Sequence, residues 1–345
     1  MNGDDGETRS PQRMWFRRVV GRWEPQDIAP VASLAALVVF FSIASPGFLR
    51  TVTIVTALQQ GAVLAIVAAG MTFVLLTAEI DLAVGTVALW TACFCGWLFQ
   101  RWAVMADGHY HATWYAVAAC LVLPMLSALL LGVFSGAVTV GSRLPSFIIS
   151  LAVMFISQGA AKYITRGQAF RVPEILSTIG NRGIEHRGLT IVPYSVMLAA
   201  AVMLVGHVVL RYTRFGRYVY MTGGNRQAAR LAGIRTGRIV IACLAISAVT
   251  AGLGGLINAG RMTSVTLDQN QDLLLSAIAC VVLGGTSLFG GEGSMGKTVV
   301  GVATFTVLNV GLTLMHIDDF SRQLVMGVVL LAALVLNGLL ARTRR

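Results

Sequence analysis

The chain has 345 residues, of which 56% are apolar and only 12% charged, against about 25% charged in an ordinary soluble domain. Its 26 basic and 15 acidic side chains could not cover a water-soluble fold this rich in Val, Leu, Ala and Ile. A soluble enzyme, a disordered chain and a disulfide scaffold are therefore excluded, and an all-α polytopic membrane protein is expected. The net charge of +11 suggests nucleic acid only until the charges are placed. They sit between long apolar runs with no basic face and no nucleic-acid motif, so no nucleic-acid partner is expected.

Residues 1–27 form a polar tail with Arg9, Arg13, Arg17, Arg18 and Arg22. The apolar run that follows is long enough to remain as an anchor, so a cleaved signal is not expected. A spanning helix needs about 20 apolar residues. Ten stretches meet or approach this: 28–45, 53–78, 83–100, 113–138, 147–165, 190–210, 239–258, 273–289, 298–316 and 323–341. Residues 28–341 thus read as one transmembrane domain and 342–345 as a short tail. Ten spans place both termini on one side. That side carries 17 Lys and Arg residues against 9 on the other, so both tails are expected in the cytoplasm. Cys93, Cys95, Cys120, Cys243 and Cys280 all lie inside apolar runs without metal or disulfide spacing, and read as small buried side chains.

Between the second and third stretches, Leu76-Thr-Ala-Glu79-Ile80-Asp81-Leu82-Ala83-Val84-Gly85 puts two acids within three residues. Two acids are too costly to leave deep in lipid without partners. Asp81 can cap the start of the third span; alternatively the segment is a break in the helix that lines a pathway. Leu144-Pro145-Ser146-Phe147-Ile148 marks the start of a span. Gln59, Gln60, Gln158, Asn258 and Asn309 are polar side chains inside the spans. Each can serve as a helix–helix hydrogen bond. Being uncharged, together they suit a neutral hydroxyl-rich solute better than an ion. With Glu79 and Asp81 they are the candidates for a translocation path.

Two loops stand out. The outer one, 166–189, carries Arg166, Arg171, Glu174, Arg182, Glu185 and Arg187, and is expected to hold short structure facing an external partner. The inner one, 211–238, exceeds the usual loop length of about 12–15 residues and contains Tyr218, Tyr220, Leu231 and Ile234. Within it, Gly223-Gly224-Asn225-Arg226-Gln227-Ala228-Ala229-Arg230-Leu231-Ala232-Gly233-Ile234 reads as a short capped helix. Asn225 is the N-cap and Gly233 the C′ residue. Ala228, Ala229, Leu231 and Ala232 would form an apolar face opposite the arginines. Such a helix can lie on anionic lipid, or it can be a rigid knob that docks a cytoplasmic partner.

Gly291-Glu-Gly-Ser-Met-Gly296-Lys297-Thr298 satisfies the spacing of a phosphate-binding loop. That motif needs a preceding strand and a Mg²⁺-holding acid on a nearby one, and neither is evident here. A Gly-rich turn between two spans is the better account. His109 and His111 lack a third ligand, so no metal site is expected. Asp318-Asp319 reads as a solvated pair in an outer loop.

Four motifs occur in one order: Glu79-Ile-Asp-Leu-Ala-Val-Gly85; Leu144-Pro-Ser-Phe-Ile148; Gly223 through Ile234; and Ile278-Ala-Cys-Val-Val-Leu-Gly-Gly-Thr-Ser-Leu-Phe-Gly-Gly-Glu-Gly293. In these, over about residues 46–338, the chain resembles the permease subunit of the ribose/xylose/arabinose class of bacterial ABC sugar importers. The resemblance implies a multi-pass protein of the inner membrane, with about ten helices per subunit in a dimer with a second copy or a paralogue. It also implies an extracytoplasmic sugar-binding protein, and a cytoplasmic ATPase that uses the ATP and Mg²⁺. This chain would then hold no cofactor and no catalytic centre. The Gly223–Gly233 segment would couple to the ATPase, consistent with the knob. Two positions depart from the class: Glu79 stands where Gly is common, and Lys297 where Gly is common. The second substitution creates the phosphate-loop match. The rivals are a branched-chain amino-acid permease, which lacks the acidic motif, and a secondary transporter, which needs a buried charge within its spans.

Overall fold

A computed structural model of the chain describes residues 25–106, 109–186, 189–270, 272–318, 320–329 and 331, of which 25–29, 104–106, 109–111, 186 and 189–191 are described by backbone alone. The basic tail through residue 24, Arg187, Asp319 and everything from residue 332 lie outside this set, as do the side chains of His109 and His111.

In chain order the elements are α1 (Pro25–Ala44), α2 (Thr51–Leu76), α3 (Val84–Trp102), the hairpin β1 (Val104–Ala106) and β2 (His109–His111), α4 (Trp114–Ser142) and α5 (Ser146–Thr165). There follow β3 (Phe170–Arg171), α6 (Glu174–Asn181), the hairpin β4 (Gly183–His186) and β5 (Leu189–Pro193), α7 (Tyr194–Tyr212), α8 (Arg214–Gly224) and α9 (Arg226–Leu231). The chain continues through α10 (Thr236–Met262), β6 (Ser264–Val265), α11 (Leu273–Leu283) and α12 (Met295–Leu314). Residues 320–329 are again helical.

Helix α10 is the axis of the bundle and packs against α2, α3, α4 and α6. Small residues make that possible, because helices in lipid associate by close backbone approach. A Cβ placed at Gly255 would lie 2.2 Å from the Ala88 carbonyl oxygen, and one at Gly70 would lie 2.8 Å from the Ser247 Cα. The surrounding helices turn large apolar side chains outward, among them Ile43 on α1, Leu130 on α4, Phe155 on α5 and Leu204 on α7. A continuous apolar exterior of this kind fits lipid and not water. All five cysteines are buried.

Among the described residues, six helices are long and apolar enough to cross a membrane: α2, α4, α5, α7, α10 and α12. The expected stretch 273–289 holds only α11, of 11 residues, which at 1.5 Å per residue reaches about 16 Å, roughly half the hydrocarbon core. Glycine ends it early. Gly285 has φ +92°, and the Thr286 amide donates back to the Val281 carbonyl at 3.2 Å, a glycine-dependent helix stop. The tenth stretch, 323–341, falls mostly outside the described residues. The 166–189 loop does contain short structure: β3 pairs antiparallel with β6, and α6 lies against the end of α10, where a Cβ at Gly180 would meet the Arg261 amide at 2.6 Å.

Candidate functional site

The acidic motif forms a true interruption between α2 and α3. Helix α2 stops at Leu76, with Ala78 in the left-handed region at φ 58° and the Glu79 amide donating to the Val74 carbonyl at 3.2 Å. The chain then runs without regular structure to α3, so its backbone groups need partners from elsewhere in the protein. Helix α5 supplies them: the Ile80 amide donates to Ser146 Oγ and the Leu82 amide to Ser150 Oγ, both at 3.0 Å. Ser146 is the serine of Leu144-Pro-Ser-Phe-Ile148, whose role the sequence did not reveal. Asp81 is buried; it accepts from the Ala83 amide at 3.0 Å and from Ser247 Oγ on α10 at 2.8 Å. Of the two readings of this motif the interruption is realised, whereas Asp81 accepts from the amide of Ala83, the residue before α3, and makes no cap bond to the first turn of that helix.

A second interruption faces the first. Residues 264–272 lead from β6 into α11, with Asn270 left-handed at φ 68°. Asn258 Nδ2 donates to Asn270 Oδ1 at 2.7 Å. A Cβ at Gly85, in the first turn of α3, would sit 3.0 Å from the Asn270 carbonyl oxygen. The starts of α3 and α11 therefore meet, at a separation that leaves little room for a Cβ at position 85.

In the 211–238 segment, Asn225 caps α9 by accepting from the Ala228 amide at 2.9 Å. Gly233 has φ +80°, with the Ile234 amide donating to the Ala229 carbonyl at 3.0 Å. The expected single apolar face, however, is divided. Ala229 is 2% exposed and turned into the protein, whereas Gly224, Asn225, Ala228, Leu231, Ala232 and Gly233 are exposed, Leu231 at 91%. With only six residues in α9, one inward position is enough to seat it. Gly223 packs on the Leu76 carbonyl and the Gly291 amide, and the Gly291 amide donates to that carbonyl at 3.0 Å. Phe289, in the same Gly-rich turn, is also highly exposed.

Arg226 joins the two motifs. Its guanidinium pairs with Glu79 at 2.5 Å and donates to the Thr77 carbonyl at 3.2 Å. The phosphate-loop match has other employment: Ser294 caps α12 by accepting from the Lys297 amide. The hydroxyl of Thr298, fully buried, shares a hydrogen bond with that of Thr72 at 2.8 Å.

Three of the polar span residues converge. Gln60, Asn258 and Asn309 line one polar cavity of about 360 Å³ between α2, α10, α11 and α12, together with Asn270, Thr306 and Phe305. Gln59 does not join them; its amide donates to the Asn181 carbonyl at 3.3 Å. Gln158 lies half-buried on α5, away from that lining, as do Glu79 and Asp81. Asn270 and Thr306 were not singled out from the sequence. A larger groove of about 710 Å³, between α1, α2, α7 and α12, is walled almost entirely by apolar side chains.

A family described as "Branched-chain amino acid transport system / permease component" matches residues 53–334. The ribose import permease RbsC of Escherichia coli (strain K12) is 34% identical over 307 residues, 88% of this chain and 91% of that protein. RbsC of Bacillus subtilis (strain 168) is 33% identical over 90% of this chain and 92% of its own length. The fructose import permease FrcC of Rhizobium meliloti is 28% identical over 91% of this chain and 85% of its own length. No solved structure matches the chain.

Proposed function

The chain belongs to the permease-component family that includes the ribose and fructose import permeases, and on that premise we propose that it carries a monosaccharide or similar neutral polyhydroxylated solute across the bacterial inner membrane. It is a transport subunit, and ATP with Mg²⁺ is used by a separate cytoplasmic ATPase. An extracytoplasmic binding protein delivers the solute to the side that carries residues 166–189, and a second permease copy or a paralogue completes the path. The chain crosses the membrane ten times with both tails inside, a reading that the distribution of Lys and Arg supports.

The observation that supports coupling at 223–233 is the Arg226–Glu79 pair. It connects a short, exposed, doubly capped helix to the interruption between α2 and α3, which in turn is fastened to α10 through Asp81 and Ser247. A push on α9 from an ATPase therefore reaches the centre of the bundle through two polar contacts. Branched-chain amino acids, named in the family's description, are disfavoured by the full-length relatives named for sugars.

Deleting the chain from its host should abolish uptake of at least one pentose or hexose, with restoration by the intact gene. Reporters fused after Arg345 and within 214–236 should read the cytoplasm, and those within 168–186 the outside. An external reading at Arg345 would refute the ten-crossing arrangement.

A further inference from the structure

Among the described residues, nine buried side-chain nitrogen or oxygen atoms have no hydrogen-bond partner. Three of them, Asn270 Nδ2, Thr306 Oγ1 and Asn309 Oδ1, belong to residues of the polar cavity's lining, Thr306 standing where the cavity adjoins the apolar groove beside Gly61. Asn270 is 7% exposed and Thr306 9%. A polar group taken out of water without a partner is unfavourable, so three around one space indicate that something else supplies the partners.

The three atoms are chemically complementary to hydroxyl groups. Asn270 Nδ2 donates, Asn309 Oδ1 accepts, and Thr306 can do either. Gln60 and Asn258 add further amides, and Phe305 contributes an aromatic surface. Charge does not bias the space toward an ion, because Arg261 and Arg322 are matched by Asp268 and Asp272 in the same lining. The wall is held in advance: Arg261 Nη1 donates to Asn258 Oδ1 at 3.2 Å, and Asn258 Nδ2 donates to Asn270 Oδ1 at 2.7 Å. A cavity of about 360 Å³ is at the lower end of the roughly 300–1,000 Å³ found for small-molecule sites.

We infer that this cavity is a binding site, within the permease itself, for one neutral polyhydroxylated ring of monosaccharide size. The inference rests on the importer reading and deepens it. The hydroxyls meet Asn270, Thr306 and Asn309, and the apolar face of the ring lies toward Phe305. Selection among solutes is then exercised by the permease as well as by a delivering protein.

The test uses the full chain in host membrane vesicles, carrying Thr313→Cys, a cavity position outside the three proposed contacts. The five native thiols are buried, so a small water-soluble methanethiosulfonate reads the new one. The expected result is labelling that D-ribose, D-xylose, D-fructose or D-glucose slows several-fold, that L-leucine does not slow, and that remains unaltered for Leu231→Cys. Thr306→Val, which keeps the shape and removes the hydroxyl, should raise the half-protecting sugar concentration several-fold without changing the melting temperature. If Thr313→Cys fails to insert, Ser276→Cys at the same cavity takes its place. A thiol that no probe reaches, protection by none of the sugars, equal protection by leucine, or an unmoved concentration in Thr306→Val would each overturn the site. A sugar whose uptake is lost on deletion of the chain but which gives no protection refutes the site and leaves the importer reading standing. Uptake of every sugar unchanged on deletion would remove both.

Discussion

Arg226 and Glu79, 147 positions apart in the chain, form an ion pair at 2.5 Å that ties the short helix α9 to the interruption after α2. Glu79 is buried while Arg226 is partly exposed, so the pair is screened only on one side. Removing the arginine strands a buried carboxylate, which is more harmful than losing the attraction itself.

Arg226→Ala should therefore destabilise the protein by about 1–3 kcal/mol, reduced from the fully buried case by the exposure of the guanidinium. Glu79→Gly removes the charge that would be stranded. The double variant should be more stable than Arg226→Ala alone, and thermal unfolding of the four proteins in detergent gives the coupling directly. Additive losses would mean that the pair carries no energy.

The interruption should depend on the hydroxyls that receive it. Ser247→Ala leaves the buried Asp81 Oδ2 without its 2.8 Å donor, and Ser150→Ala leaves the Leu82 amide without its acceptor. Each should lower stability by about 1–3 kcal/mol. Ser142→Ala, whose hydroxyl bonds an exposed position of its own helix, should change the unfolding temperature little. Equal, negligible effects at all three positions would show that the break is satisfied in some other way.

How much of this could be read from the residues depended on the range of the interaction involved. Helix caps are local, so Asn225 and Gly233 were readable directly. The direction in which α9 faces is set by what it packs on, so from the residues alone Ala229 falls with the exposed alanines although it turns inward. Gln60, Asn258 and Asn309 were visible because an amide inside an apolar run is conspicuous. Asn270 sits in a polar connection, and Thr306 looks like any helical threonine, so neither announced itself. The serines at 146 and 150 were hidden in the same way: only the path of residues 79–83 past α5 gives them work. The truncation of α11 was foreshadowed by Gly284-Gly285, yet hydropathy alone counted the following turn as part of a span.

The phosphate-loop match should be inert toward nucleotide. Lys297→Ala in the purified chain should leave ATP binding no different from the wild type, measured by filter binding or equilibrium dialysis. Thr298→Val should instead lower stability by about 1 kcal/mol, because it removes the buried hydrogen bond to Thr72. Saturable ATP binding that disappears with Lys297 would contradict this account of the Gly-rich turn.

Docking of the ATPase on the outward side of α9 is tested most directly by comparing two variants of that one helix. Leu231 is 91% exposed and Ala229 only 2%, so Leu231→Asp touches the partner surface and Ala229→Arg disturbs the seat of the helix. The measurement is retention of the ATPase when the tagged permease is purified from the membrane, read beside the permease's own melting temperature. Leu231→Asp should abolish retention and uptake with an unchanged melting temperature, whereas Ala229→Arg should lower the melting temperature itself, overpacking and a buried charge both acting against it. Full ATPase retention and normal uptake in Leu231→Asp would contradict the assignment of 223–233 as the coupling segment.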